Sequence, residues 1–270
     1  MTAPVRDGAD AGLASAYAAA RTRLGLVVAL FVVAGLGWVW TAREMRGMDA
    51  GPWTSLGSLG WFLGVWIVMM AAMMFPSVAP TVALYARMTK QRWPLRPWVF
   101  AGGYLLTWAA AGIMAYAIGL TATTILGDTL AWHNAGREFA GGTLIVAAIY
   151  ELTPLKDVCL GKCRSPLGAL LGSWRDGNLG AVRMGARNGA WCVGCCWALM
   201  ASLFALGIMS VSWMAFVAGI IAVEKTVPWR RRFVTYAVSA VLLTLGILVL
   251  AAPGALPWLT TPPADPMNMG

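Results

Sequence analysis

Histidine and acidic side chains are scarce in this sequence: there is one His, and Asp and Glu together number 11 in 270 residues. Charged residues of both signs make up 11%, well short of the roughly 25% that keeps the surface of a soluble domain wet. That shortage excludes a water-soluble globular domain of this size. Several catalytic signatures are missing as well. No Gly-rich loop ends in Gly-Lys-Ser/Thr, which removes the phosphate cradle of an NTPase. A single histidine cannot supply the paired-His helix of a zincin-type protease. The last apolar run, Phe233–Ala252, has no lysine on which a retinal Schiff base would form. Hydrolytic and group-transfer chemistry have little support, and no enzymatic activity is expected.

What is abundant is apolar surface. Hydrophobic residues make up 59% of the chain and the mean hydropathy is +0.70. The apolar residues fall into runs long enough to read as membrane spans: about Leu24–Thr41, Trp61–Tyr85 (interrupted by Pro76 and Pro80), Trp98–Thr121, Phe139–Thr153, Asn188–Leu206, Ile208–Val227 and Phe233–Ala252. The first run lacks a small-x-small cleavage site at its far end, so it reads as an uncleaved span. The expected fold is therefore all-α, a polytopic transmembrane helical bundle of about seven spans. Residues 1–23 form a cytoplasmic N-terminal leader, 24–252 the transmembrane domain, and 253–270 an external flexible tail. Runs four and six are short, and each carries a carboxylate, Glu151 and Glu224.

Basic residues orient the bundle. With seven spans, 17 of the 20 Lys and Arg fall on one side, and Arg43, Arg46 and Arg137 fall on the other. Positively charged loops stay in the cytoplasm, which predicts N-in/C-out in a bacterial inner membrane. The net charge of +9 is spread in short clusters between apolar runs. That is a topology signal and not the single basic stripe of a nucleic-acid binder. The expected partners are the lipid bilayer and a metal ion, with a metal-donating or metal-accepting protein as a further candidate.

The metal expectation comes from sulfur. All five cysteines lie between Cys159 and Cys196, on the side predicted to be cytoplasmic, where structural disulfides are disfavoured. Cys192, Cys195 and Cys196 have i, i+3, i+4 spacing and share a helix face. Cys159 and Cys163 share another if their segment is helical. Thiolates select Cu(I), zinc or iron–sulfur clusters. Packing is the alternative, because a free Cys also behaves as a small hydrophobe. Thiol–disulfide exchange is another, because Cys192 and Cys195 have C-x-x-C spacing. Run two adds Met69, Met70, Met73 and Met74, either soft ligands or core filler. Glu151 and Glu224 are candidates as intramembrane carboxylates, each with a cation close in sequence, Lys156 and Lys225. His133, in a loop with Asp128, reads as an ordinary surface residue.

Three blocks of this sequence resemble a bacterial family of predicted metal-binding integral membrane proteins, some provisionally named copper chaperone. They are W-x-x-M-M-x-A-M-M-x-P-S at Trp66–Ser77, E-L-T-P-L-K-x-x-C-L-x-x-C-R-x-P at Glu151–Pro166, and C-x-G-C-C-W-A-L-M at Cys192–Met200. The resemblance implies a metal held in the membrane at these cysteines. The combined expectation is a soft transition metal, Cu(I) favoured over Zn, bound by Cys159, Cys163, Cys192, Cys195 and Cys196, with Met69, Met70, Met73 and Met74 as a weaker station or lining. The role would be uptake, sequestration or delivery. A thiol-redox membrane protein and a non-catalytic assembly factor are the alternatives.

Overall fold

The computed structural model describes residues 17, 19–21, 23–44, 57–89, 95–126, 137–172, 174–206, 211–226 and 231–251. His133, Asp128, Met45, Met48, Met209, Met267, Met269, most of the 1–23 leader and the 253–270 tail lie outside these residues. Among the described residues the principal elements are all helices: α1 (Leu24–Glu44), α2 (Leu59–Met88), α3 (Arg96–Leu126), α4 (Arg137–Glu151), α5 (Pro154–Arg164), α6 (Pro166–Leu171), α7 (Gly177–Leu206), α8 (Val211–Thr226) and α9 (Arg231–Ala251).

Among the described residues, four helices are long and apolar enough to cross a membrane: Leu24–Glu44, Leu59–Met88, Arg96–Ile125 and Arg232–Ala251. At 1.5 Å rise per residue, α4 and α8 extend only about 22–24 Å, less than the roughly 30 Å of a hydrocarbon core. The outward faces are apolar. Leu106, Met114, Ile118 and Ile125 of α3 and Phe233, Tyr236 and Ile247 of α9 are exposed, with no protein covering them.

Helix α2 is the centre of the bundle. It packs against α1, α3 and α8, while α7 packs against α3, α4 and α5, and α9 against α4. Pro76 and Pro80 do not interrupt it: α2 runs unbroken through both. Each proline fits the helical φ and removes one N–H, which frees the carbonyls of Ala72 and Pro76 from their i+4 partners without ending the helix.

The start of α7 corrects the hydropathy reading, which begins that element at Asn188. The helix begins at Gly177. Arg183 and Arg187 break the apolar run but are exposed, while Ala181 and Met184 of the same segment are buried. Charge on the outer face ends a hydropathy window without ending a helix.

Glycine brings α3 and α7 together. A Cβ on Gly185 would lie 2.9 Å from the Phe100 carbonyl carbon and 3.0 Å from the Tyr104 amide nitrogen, and one on Gly189 would lie 2.8 Å from the Tyr104 carbonyl oxygen. Small residues at such crossings let backbones approach closely. The approach sets the position of Tyr104 relative to the cysteines further along α7.

The α4–α5 junction has a local logic. Thr153 caps α5, its hydroxyl accepting from the Lys156 amide at 3.4 Å, and Pro154 occupies the first turn. A proline there sacrifices an N–H that lacks a helical partner anyway. The E-L-T-P block thus ends one helix at Glu151 and starts the next at Pro154, turning Lys156, Cys159 and Leu160 inward.

Candidate metal centre

Helices α2, α5, α7 and α8 meet around α7's C-x-x-C-C segment. One helical turn places Cys192, Cys195 and Cys196 with their sulfurs all within 4.8 Å of one another, and all three are buried. Cys192 Sγ lies 3.9 Å from Cys196 Sγ. The Cys195 thiol donates to the Cys192 carbonyl at 3.2 Å and the Cys196 thiol to the same carbonyl at 2.8 Å. That shared acceptor holds both thiols over the Cys192 turn.

Helix α5 brings in the second pair. Cys163 Sγ is 3.8 Å from Cys195 Sγ. Cys159 is buried beside α7 at Gly194, where an added Cβ would come within 2.9 Å of Cys159 Sγ. The Tyr150 hydroxyl donates to the Gly194 carbonyl at 2.5 Å, fixing the end of α4 against the same turn. None of the five cysteines forms a disulfide.

The methionine row divides. Met69, Met70, Met73 and Met74 are all buried in α2. Among the described residues, a close contact to a cysteine sulfur reaches Met74, whose Sδ is 3.9 Å from Cys192 Sγ; no such contact involves Met69, Met70 or Met73. Met74 and Met70 share a face one turn apart.

The acidic residues pair differently from their order in the sequence. Lys156 lies between two carboxylates, ion-paired to Glu151 and donating to both Glu224 oxygens at 2.8 Å. All three side chains are buried. Glu224 therefore pairs with Lys156, across from α8 to α5, and not with its sequence neighbour. Lys225 instead points at sulfur: its Nζ donates to Cys192 Sγ at 3.0 Å, with Ser77 Oγ at 3.4 Å and Met74 Sδ at 3.9 Å.

Tyr104 was not singled out by the sequence. Its hydroxyl lies 2.9 Å from Cys192 Sγ across the α3–α7 contact, a partner 88 positions away that no local spacing announces. Lys225 had a usable signal, an ammonium within an apolar run, but nothing local in the sequence linked it to Cys192.

A soft metal fits this donor set. A metal about 2.3 Å from each thiolate holds its sulfurs roughly 3.8–4.0 Å apart in trigonal or tetrahedral geometry. The Cys192–Cys196 and Cys163–Cys195 separations of 3.9 and 3.8 Å match that spacing. The contacting donors are sulfur, including a thioether that belongs to soft-metal sites.

A family model described as "Copper chaperone" matches residues 63–249, a stretch that contains every cysteine, the methionine row, Lys156 and Lys225. No curated protein and no solved structure matches the chain.

Proposed function

We propose a function from a plain premise: this chain belongs to the copper-chaperone family. It is an integral protein of the bacterial inner membrane that carries Cu(I) as cargo and performs no catalysis. Cys192, Cys195 and Cys196 hold the ion, and Cys163 and Met74 are adjacent soft donors. Cys159 stands beside Gly194 as a reserve thiol. Met69, Met70 and Met73 line the approach through α2. The observation that carries this reading is the buried three-sulfur turn of α7, bordered by a fourth thiol and a thioether. Zinc sites draw on cysteine, histidine and carboxylate, whereas a donor set of thiolate and thioether suits Cu(I).

The test is elemental analysis of the reduced, detergent-purified protein from cells grown with added copper and zinc. Near-stoichiometric copper is expected in the wild type and background copper in Cys192→Ser/Cys196→Ser. Zinc in place of copper would change the cargo and keep the site. No metal in either sample would sink the metal reading and favour thiol exchange.

The chain also reads as crossing the membrane seven times, with residues 1–23 inside and 253–270 outside. The exposed apolar faces of α3 and α9 support lipid contact. The 17-to-three division of basic residues supports the orientation. The short α4 and α8 gain from wrapping their carboxylates around Lys156, since buried charge is tolerable only when paired. Reporter fusions check the topology. A periplasm-dependent phosphatase fused after Gly270 is expected to be active, and the same reporter inserted at residues 174–176 inactive. The reverse pattern would overturn the orientation.

A further inference from the structure

We infer that Lys225 is a charge selector of the sulfur site: its ammonium makes the centre prefer a monovalent soft cation to a divalent one. The inference rests on reading the α7 sulfurs as a metal site.

Lys225 is buried near the inner end of α8, with 9% of its surface exposed. Its Nζ is 3.0 Å from Cys192 Sγ, 3.4 Å from Ser77 Oγ and 3.9 Å from Met74 Sδ. Two of those three atoms are sulfurs of the candidate centre. The neighbouring Glu224 is turned away, because successive residues on a helix point about 100° apart, and its carboxylate is held by Lys156. Among the described residues, Lys225 has no carboxylate within ion-pair distance. Desolvating an ammonium costs several kcal/mol unless its surroundings compensate, so its place among sulfurs calls for a compensating negative charge there.

A metal–thiolate complex supplies it. One Cu(I) on the three thiolates carries a charge of −2, which attracts the adjoining ammonium strongly. A divalent ion on the same three thiolates leaves −1, so the ammonium is attracted to that complex less in a low-dielectric interior. The preference does not depend on how many thiolates bind. For any given number, the divalent ion presents one more positive charge to Lys225. A unit charge a few ångströms away at an effective dielectric of about 20 is worth more than a factor of ten in binding. Packing alone has no such valence preference.

The experiment is a competition on full-length protein in detergent. Excess Ag(I) and Cd(II), both soft, are offered together to wild type, Lys225→Met, Lys225→Arg and Cys192→Ser/Cys196→Ser. Bound metals are counted after desalting. The expected result is an Ag-to-Cd ratio at least tenfold lower in Lys225→Met than in wild type, and within about threefold of wild type in Lys225→Arg, where about 1.4 kcal/mol corresponds to tenfold. If Lys225→Met does not yield monodisperse protein, Lys225→Gln carries the same expectation. A structural role lowers both ions together and leaves the ratio alone, and that result overturns the inference while the metal site stands. A ratio that rises in Lys225→Met also overturns it, because the ammonium would then be a plug that the metal displaces. Wild type that binds neither ion, like the cysteine variant, removes the metal site and the inference with it.

Discussion

Lys156→Met is expected to destabilise the protein by about 3–5 kcal/mol, because it strands two buried carboxylates. Glu151 and Glu224 come from different helices, α4 and α8, and both pair with the Lys156 ammonium contributed by α5. Without it, two like charges face each other in a region from which water is excluded. The apparent midpoint of thermal unfolding in detergent should fall by roughly 10 °C. A second variant separates loss of the cation from loss of packing. Lys156→Met combined with Glu151→Gln and Glu224→Gln removes every charge and keeps the shapes, so it should recover most of the loss. A triple variant as unstable as the single one would show that the lysine stem, and not its charge, holds α4, α5 and α8 together. The single variant should also weaken metal retention, since α5 carries Cys159 and Cys163 and α8 carries Lys225.

Gly185→Leu is the second large effect, and it acts through backbone. The new Cβ would meet the carbonyl carbon of Phe100 and the amide nitrogen of Tyr104, atoms that cannot rotate aside as a side chain can. Overpacking typically costs about 1–3 kcal/mol, and contact with main chain belongs at the upper end. Helices α3 and α7 must part, which takes Tyr104 away from Cys192 although neither residue is altered. The expected result is reduced copper per protein together with a lower unfolding midpoint. Gly102→Ala is the control. It lies on α3 with open space around its Cα and should leave both quantities unchanged. Equal damage from both variants would mean that glycines in α3 and α7 matter for helix conformation, and that the close crossing is incidental.

Much of this was legible from local pattern. Hydropathy marked where helices lie, and the spacing of Cys192, Cys195 and Cys196 placed three sulfurs on one face, because a helix turn is a local rule. Helix ends were less legible. Arg183 and Arg187 cut the apolar run short although α7 continues through them. The prolines of α2 looked like breaks and are not, since a proline fits helical φ once its neighbours hold the helix. Partners across helices were hardest. Lys225 is the cation closest in sequence to Glu224, yet neighbours on a helix diverge too far to meet. Cys163 to Cys195 and Tyr104 to Cys192 depend on which helices pack together, and single-chain periodicity does not encode that.

Three of the sulfurs belong to one turn of one helix, and this affects when the ordering cost of the site is met. A site assembled from several loops loses chain freedom as its ion arrives, and that loss is subtracted from affinity. Here the spacing of Cys192, Cys195 and Cys196 is fixed when α7 folds, with two of the thiols already tied to the Cys192 carbonyl. The entropy has been given up before any ion is present. The donors that remain adjustable, Cys163 and Met74, stand on separate helices. A rigid trio with movable neighbours keeps a resting grip on its ion while the outer ligands change places with those of an incoming acceptor.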